Sequence, residues 1–315
     1  MNRAKKILKG TLAALALLYL ILIVIAYLPS ATVPIDKLTG ADSKFVQVNG
    51  QTIHYTRQGT GSPLILVHGF AGSTYTWRHL IPLLTDHYTV YAYDMLGFGL
   101  SDKPPDGDYG MKAQGGMLIA FMEALNLPSA HLVGHSMGGV VIACAALEAP
   151  QKVASLIMIE PGFYTKTGPE FLNHLFFPLD RIMARQFYSR SMRKRFLTGS
   201  FYNKLLVTDE VIDAYMLPTR TPHAIDALAR MMSKVGLKQY PGIAEKVTRP
   251  AHIVWGERGA GDKLEIAHRV QREIASSRLI PVKECGHYVQ EERPGELAEI
   301  IRNYTQSLTM PLTEK

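Results

Sequence analysis

Gly134-His135-Ser136-Met137-Gly138 is the most informative segment of this chain. It follows the short apolar run His131–Val133, typical of a buried strand, and precedes Val140–Leu147, a run without glycine or proline that predicts a helix. A Gly-x-Ser-x-Gly pattern in this context is typical of a sharp turn that lifts a serine hydroxyl clear of a sheet. We expect its two glycines to permit the strained backbone. The helix N-terminus behind the turn favours a developing negative charge, which makes Ser136 the candidate nucleophile.

Apolar strands alternate with helical segments through the rest of the chain. The predicted strands are 44–48, 52–56, 63–67, 89–93, 130–133, 153–159, 252–255 and 278–282, and the predicted helices are 74–85, 110–126, 138–148, 264–275 and 294–307. Asn49-Gly50 between the first two strands is a strong hairpin signal. Pro63–Val67 has the continuous apolar character of a strand buried on both faces. The alternation predicts an α/β fold with a mostly parallel, doubly wound sheet.

One interval breaks this alternation. Between Pro161 and Pro250 the composition shifts to Phe, Met, Tyr, Arg and Lys, and no segment predicts a strand. We interpret 163–240 as a helical cap inserted between two parts of the core, 41–162 and 241–315, with residues 1–40 as an anchor and tether. Within the cap, Arg181–Lys204 is basic, lacks acidic residues and is interleaved with aromatics. It is either a solvated cap face packed on the core or a surface that rests on anionic lipid headgroups.

The N-terminus explains much of the basic character of the chain. The formal net charge is +7, and Arg3, Lys5, Lys6 and Lys9 supply four of these charges just before the apolar stretch Leu12–Leu28. The charge therefore does not indicate nucleic-acid binding. The stretch predicts an uncleaved signal anchor, with the N-terminus in the cytoplasm and the catalytic body on the extracytoplasmic side. Secretion after signal-peptide cleavage is the alternative.

The cysteine and histidine pattern gives no indication of a metal site. Cys144 and Cys285 are the two cysteines, and buried free thiols are favoured over a disulfide between them. Neither a metal-ligand spacing nor a phosphate-binding glycine loop occurs, so no metal or organic cofactor is expected.

Two further segments complete a candidate site around Ser136. His287 follows the last predicted strand and lies C-terminal to the serine, where an imidazole could accept the hydroxyl proton. His68-Gly69-Phe70 follows the third strand, and the backbone N–H groups of Phe70 and Met137 could together form an oxyanion hole. The alternative for this second segment is a plain strand-to-helix turn.

Four segments of the chain closely resemble the α/β-hydrolase family, and the likeness extends over about residues 43–308. They are Leu66–Phe70, Tyr93–Pro104, the Gly134–Gly138 turn, and Gly286-His287 with Gln290–Pro294. The second segment is similar to the capped branch that includes epoxide hydrolases, haloalkane dehalogenases, C–C bond hydrolases, cofactor-free haloperoxidases and lipases. The resemblance implies a structural role for the aspartate of that segment, Asp94.

The acid of the family's catalytic triad is missing from its usual place. Members of the family carry it in a Gly-x-x-Asp turn after the seventh strand, where this chain has Gly256-Glu257-Arg258-Gly259. Two replacements are open. Glu160 ends the sixth predicted strand, where some dehalogenases and lipases of the family place their acid, and it is favoured. Asp262 lies three residues beyond Gly259. A carboxylate at position 160 that only bonds to backbone is the structural alternative.

A serine nucleophile limits the chemistry. Dehalogenases and epoxide hydrolases of the family use aspartate, whereas a serine alkyl ether would offer water no carbonyl to attack. We therefore predict a membrane-tethered serine hydrolase of carboxylic esters, with a lipophilic substrate such as a monoacylglycerol. The bilayer and the ester are its expected partners. Alternatives are C–C bond hydrolysis of a diketone, cofactor-free haloperoxidase activity, or a catalytically silent module that binds a hydrophobic ligand.

Overall fold

A twisted central sheet carries the residues of the candidate site. The computed structural model describes residues 2–164, 177–234, 240–258 and 263–309, and within these ranges the strands form one eight-stranded sheet in the order β1-β2-β4-β3-β5-β6-β7-β8. The strands are Ser43–Val48 (β1), Gln51–Gln58 (β2), Ser62–Val67 (β3), Tyr88–Tyr93 (β4), Ala130–His135 (β5), Val153–Ile159 (β6), Ala251–Gly256 (β7) and Ser277–Val282 (β8). Antiparallel pairing is confined to β1 with β2 and β2 with β4, and β3 to β8 pair in parallel. The predicted fold class is confirmed.

The first hairpin has the predicted two-residue turn. Val48 pairs with Gln51 across it, and the φ angles of Asn49 and Gly50 are 51° and 76°. Two positive φ angles are the signature of a type I′ turn, whose twist matches that of the flanking strands.

The sheet is buried on both faces, as the apolar run of β3 predicts. Leu64 and Leu66 belong to one hydrophobic cluster, and Ile65 and Val67 belong to another, since successive side chains point to opposite faces of a strand. Helices pack on both sides. They are Met111–Ala124 (α2), Met137–Glu148 (α3), Lys263–Glu273 (α8), Val289–Glu292 (α9) and Pro294–Thr309 (α10).

The helix predicted over 74–85 is wrong. Two 3₁₀ turns, Thr74–Trp77 and Ile81–Leu83, occupy this segment instead. Pro82 lacks a backbone N–H and its ring clashes with a preceding carbonyl, so a continuous helix cannot pass through it. The turns still bury Trp77 and Leu80 against the sheet, which explains why the apolar pattern resembles that of a helix.

Helices cover the carboxyl edge of the sheet between β6 and β7. The described residues there form Leu179–Phe187 (α4), Arg190–Ser200 (α5), Asp209–Met216 (α6) and Ala224–Lys234 (α7), and contain no strand. We refer to α4–α7 as the cap. The predicted domain limits of 163 and 240 stay predictions, because residues 165–176 and 235–239 lie outside the described ranges.

The N-terminal helix Asn2–Ala26 (α1) contains a segment, Lys5–Ala26, with a mean hydropathy of 2.4, long and apolar enough to cross a membrane. Its last residues contact the cap. Arg181 Nε on α4 donates to the Ala26 carbonyl at 2.8 Å, and the Arg181 guanidinium lies 4.4 Å from the Tyr27 ring centroid. Arg185 Nη1 donates to the Leu28 carbonyl at 2.7 Å. The end of α1 and the residues that follow it are therefore attached directly to the cap.

Both cysteines are free and buried, as predicted. Burial raises the pKa of the Cys144 thiol to about 11 and raises that of Cys285 further. A buried thiol that stays protonated is a poor nucleophile, so neither residue competes chemically with Ser136.

Candidate active site

Ser136 occupies the sharp turn between β5 and α3. Its φ and ψ angles are 53° and −114°, a conformation that non-glycine residues rarely adopt. The Ser136 N–H donates to the Ile159 carbonyl at 2.8 Å, and the Ser136 carbonyl accepts from Gly162 N–H at 3.0 Å. The flanking elements thus hold the strained residue in place, and strain of this kind is concentrated at functional sites.

The two glycines of the motif serve close packing rather than strain, which corrects the expectation from the sequence. A Cβ atom at Gly134 would lie 2.4 Å from the Gly138 carbonyl oxygen, and one at Gly138 would lie 2.2 Å from the Val67 carbonyl oxygen. The positive φ angle belongs to the serine between them. Any side chain at either glycine would therefore push α3 away from the sheet.

Glu160, which is buried, and His287, which is partly exposed, form a pair at the same edge of the sheet. Glu160 directly follows β6, with a φ angle of 42°, and its Oε2 lies 2.6 Å from His287 Nδ1. Its Oε1 accepts the Gly256 N–H at 3.0 Å. Because an ionised carboxylate only accepts hydrogen bonds, it holds the proton of His287 on Nδ1. The other ring nitrogen, Nε2, is left for a reacting group.

The histidine side chain reaches the same pocket as the serine. His287 is 17% exposed, whereas the Glu160 side chain is 1% exposed. Both Ser136 and His287 line this pocket, and in the described chain their side chains are not hydrogen bonded to each other. In ligand-free enzymes this contact is often long and shortens when substrate binds.

Asp262 is the other acid that the sequence leaves open. Asp262 and Gly259 both lie outside the described residues. The buried contact with His287 that the geometry shows is made by Glu160.

The turn after β3 brings a second backbone segment against the serine. A Cβ atom at Gly69 would lie 3.2 Å from the Ser136 Cβ, so the turn passes very close to it. His68 Nδ1 donates to the Gly69 carbonyl at 2.7 Å, and His68 Nε2 accepts the Met95 N–H at 3.1 Å. Burial lowers the pKa of His68. This neutral, fully buried imidazole therefore fixes the shape of the turn.

The N–H groups of Phe70 and Met137 are the candidate oxyanion donors. Met137 is the first residue of α3, and the first N–H groups of a helix have no partner within the helix. Across the described ranges, neither N–H donates to another group of the chain. Phe70 lines the pocket that contains Ser136. Two unused donors on either side of the serine provide what an oxyanion requires.

Asp94 has the structural role that the resemblance implies. Its carboxylate accepts from the Thr74 N–H at 2.6 Å, the Leu100 N–H at 2.9 Å and His54 Nδ1 at 2.7 Å. Burial alone would raise the pKa of Asp94, but the His54 ring and the hydrogen bonds outweigh burial and lower it to about 2. The ionised side chain ties the segment after β3 to the loop after β4.

The cap holds the histidine loop in place, a contribution that the sequence did not predict. His287 N–H donates to the Ser200 carbonyl at the end of α5 at 2.8 Å. The carboxylate of Glu292 accepts the N–H groups of both Gly286 and Asn203, each at 2.8 Å. His287 is thus held from both sides, by Glu160 in the core and by backbone of the cap.

The pocket is walled by both core and cap. Its lining residues are Gly69, Phe70, Gly72, Thr76, His135, Ser136, Phe196, Tyr215, His287 and Tyr288. Phe196 and Tyr215 come from α5 and α6 of the cap. His135 is buried under the turn, and its Nε2 lies 2.9 Å from the His287 carbonyl. Four of these ten residues are Phe or Tyr, which suits a ligand with an apolar part.

A buried polar cluster connects the cap to the core beside this pocket. Tyr215 donates to Glu291 and lies 2.9 Å from Thr76 Oγ1, while Arg78 Nη2 lies 2.7 Å from the other Glu291 oxygen. Burial and the neighbouring Glu291 carboxylate raise the pKa of Tyr215. None of these roles was predicted, because the partners lie far apart in the sequence. Among the described residues, no group of three or more His, Cys, Asp or Glu side chains is arranged to hold a metal ion.

Comparison with known proteins decides the family. The model of a family described as alpha/beta hydrolase fold matches residues 62–294. The chain belongs to the α/β-hydrolase family. This α/β-hydrolase is 30% identical over 258 residues to an uncharacterized hydrolase, YugF, of Bacillus subtilis, covering 82% of this chain and 94% of that protein. It is 29% identical over 267 residues to a soluble epoxide hydrolase of Corynebacterium, covering 78% of this chain and 91% of that protein.

Solved structures agree with this assignment. A serine hydrolase involved in carbazole degradation has a TM-score of 0.70 and 26% identity to this α/β-hydrolase, over 84% of this chain and 98% of that one. The family and its relatives identify the protein as a hydrolase.

Proposed function

We propose that this α/β-hydrolase is a membrane-tethered serine hydrolase that cleaves carboxylic esters through an acyl-enzyme on Ser136. One observation supports the proposal most strongly. The buried Glu160 carboxylate holds His287 by Nδ1, and His287 lines the same pocket as a serine on a strained turn. A serine hydroxyl is a weak nucleophile until an oriented imidazole accepts its proton.

Each group then has a role in acyl transfer. Ser136 Oγ attacks the ester carbonyl while His287 Nε2 accepts its proton, and the Phe70 and Met137 N–H groups stabilise the oxyanion. His287 returns the proton to the departing alcohol, which leaves Ser136 acylated. Water, deprotonated by the same imidazole, attacks the acyl-enzyme and releases the acid. Glu160 keeps the ring in one tautomer and stabilises its cation.

Epoxide opening, the activity in the name of the Corynebacterium relative, fits this site poorly. Attack by Ser136 on an epoxide carbon would form an ether, and water has no carbonyl carbon at which to release the product. An ester gives Ser136 an acyl group that the next water can remove. The identity of the nucleophile therefore favours esters over epoxides despite the overall similarity.

The contact between anchor and cap supports a lipophilic substrate. Arg181 and Arg185 hold the end of α1 against α4, so a membrane-spanning α1 would keep the cap close to the bilayer surface. Guanidinium groups in this position also suit anionic headgroups. We propose an orientation with the N-terminus in the cytoplasm and the body outside, and a substrate such as a monoacylglycerol.

A series of 4-nitrophenyl esters from acetate to palmitate tests the proposal, with the full chain in detergent micelles and Ser136→Ala as the control. We expect turnover that disappears in the variant and that is fastest for medium or long chains. Turnover that persists in Ser136→Ala would contradict the serine mechanism. A clear optimum at acetate would contradict the lipophilic substrate and leave the mechanism intact.

A further inference from the structure

The cap contains a buried cation, Arg193, and the segment around it, Arg181–Lys204, has no acidic residue to neutralise the charge. Arg193 lies on α5 and is 1% exposed. Its Nε and Nη2 atoms are buried and have no hydrogen-bond partner in the part of the chain that the structure describes. A guanidinium carries a positive charge and five N–H donors but no acceptor. Burying a charge without acceptors is strongly unfavourable.

The other basic residues of α5 differ from Arg193 in this respect. Arg190 donates to Asp209 at 3.0 Å and to Asp213 at 2.9 Å, and Lys194 is exposed to solvent. The guanidinium of Arg193 instead lies 5.5 Å from the ring centroid of Phe187 and 5.9 Å from that of Tyr188. Aromatic faces attract a cation. They do not supply the oxygen acceptors to which a guanidinium donates paired hydrogen bonds.

Arg193 lies one aromatic layer from the catalytic pocket. The Phe187 ring beneath it is 5.4 Å from the ring of Phe70 and 5.8 Å from that of Phe196, and both of these residues line the pocket. Phe196 is also three residues further along α5, on the same helix face. Burial raises the pKa of Tyr288, which follows His287, and the charge of Arg193 opposes that rise.

We propose that Arg193 recognises an anionic oxygen group, a carboxylate or a phosphate, carried by the substrate. The inference rests on the proposed ester hydrolysis and makes its substrate an amphiphile with an apolar chain and an acidic group. A methionine or leucine would fill the position without the desolvation of a charge. A planar guanidinium with unused donors offers paired hydrogen bonds to two oxygens. Residues that conflict with local packing rules are concentrated at functional sites.

Three esters of one chain length test this specificity. 4-Nitrophenyl octanoate is neutral, mono-4-nitrophenyl suberate carries a carboxylate on the acyl chain, and 4-octanoyloxybenzoate carries one on the leaving group. We expect the wild-type full chain to prefer at least one anionic ester over the neutral ester by about tenfold in kcat/KM, the scale of one net charged hydrogen bond. Arg193→Met should remove that preference and leave turnover of the neutral ester unchanged.

The matched control is Lys194→Met, which removes an exposed charge from the next position of the same helix and should keep the preference. Arg193→Lys keeps the charge but loses the planar guanidinium, so it should retain only part of the preference for an anionic ester. Two results would overturn the inference: an equal loss of kcat/KM for neutral and anionic esters in Arg193→Met, or no preference for an anionic ester in the wild type. Absence of turnover for all three esters would count against the proposed function instead.

A binding measurement tests anion recognition by Arg193 separately from ester hydrolysis. It also distinguishes a carboxylate from a phosphate. The thermal unfolding midpoint of Ser136→Ala is measured with octyl phosphate, octanoate and octanol at equal concentrations. We expect octyl phosphate or octanoate to raise the midpoint more than octanol does, and the additional Arg193→Met change to abolish the difference. The larger shift identifies the preferred anion. Equal shifts for all three compounds, or shifts that survive Arg193→Met, would overturn the inference whether or not esters are hydrolysed.

Discussion

Glu160 Oε2 lies 2.6 Å from His287 Nδ1, although 127 residues separate the two in the chain. Parallel strands explain the contact, because β6 and β8 both end at the same edge of the sheet, on either side of β7. Glu160 therefore reaches the histidine from the end of β6, and Gly256, the last residue of β7, donates its N–H to the same carboxylate.

Glu160→Gln is expected to lower kcat by about 10³- to 10⁴-fold. The amide fills the same space, but it cannot stabilise an imidazolium and its NH₂ group can place the wrong nitrogen of His287 toward the serine. Steady-state hydrolysis of 4-nitrophenyl octanoate by the full chain measures the effect. The thermal unfolding midpoint shows whether the variant is folded.

Asp262→Asn is the matched control for this change. It should reduce kcat by less than about twofold, because Nδ1 of His287 is already bonded to Glu160. A large loss in Asp262→Asn with little loss in Glu160→Gln would move the acid to Asp262.

Gly286→Ala should impair both stability and turnover. A Cβ atom there would lie 2.4 Å from the Ser200 carbonyl oxygen and 2.6 Å from the Tyr202 nitrogen, so the histidine loop and the cap must separate. We expect a loss of about 1–3 kcal/mol of stability and about 10- to 100-fold in kcat. Gly295→Ala, on α10 with no atom near its Cβ, should change neither by much. Similar kinetics for the two variants would contradict the role of the cap in positioning His287.

The lowered pKa of Asp94 predicts that the free energy of unfolding depends on pH. Its pKa is lowered from an ordinary value of 3.8 to about 2 in the folded state, so the folded protein binds the proton less readily than the unfolded chain. The contribution is complete above about pH 4 and is lost as the pH falls toward 2. Asp94→Asn should cost about 3 kcal/mol at pH 7 and flatten the pH dependence between 4 and 2. Thermal unfolding across this range tests it, and an unchanged slope in the variant would contradict it.

If α1 spans the bilayer as proposed, its contact with the cap predicts a defect confined to membrane-dissolved substrate. Tyr27→Leu combined with Arg185→Gln removes the ring beneath Arg181 and the hydrogen bond to Leu28. In proteoliposomes we expect hydrolysis of a long-chain ester to fall about 3- to 10-fold, with 4-nitrophenyl acetate unaffected. Arg195→Gln, an exposed change on the cap, is the control. An equal loss for both esters would contradict a role of the anchor in substrate access.

The sequence was sufficient for the framework of this fold. Continuous apolar runs predicted the parallel strands, and Asn49-Gly50 predicted the hairpin, because both signals are local. The positions of Ser136, His287 and Glu160 at strand ends then implied a common edge, since parallel strands end together. The helix predicted over 74–85 failed because Pro82 outweighed the apolar periodicity.

Contacts of the cap could not be predicted in the same way. The bond from His287 N–H to Ser200, and the cluster of Tyr215 with Glu291, depend on how helices without strand partners pack over the core. No local pattern encodes that packing. Arg193 is an example, because its basic, interleaved segment was interpreted as a solvated or lipid-facing surface and the residue is buried.

Covalent labelling identifies the nucleophile directly. The full chain is treated with a long-chain fluorophosphonate, a reagent that phosphonylates activated serines, and the modified peptide is identified by mass spectrometry. We expect one adduct on Ser136, concurrent loss of ester hydrolysis, and much slower labelling in Glu160→Gln. Ester hydrolysis that continues in fully labelled protein, or labelling at another residue with Ser136 unmodified, would contradict the serine mechanism.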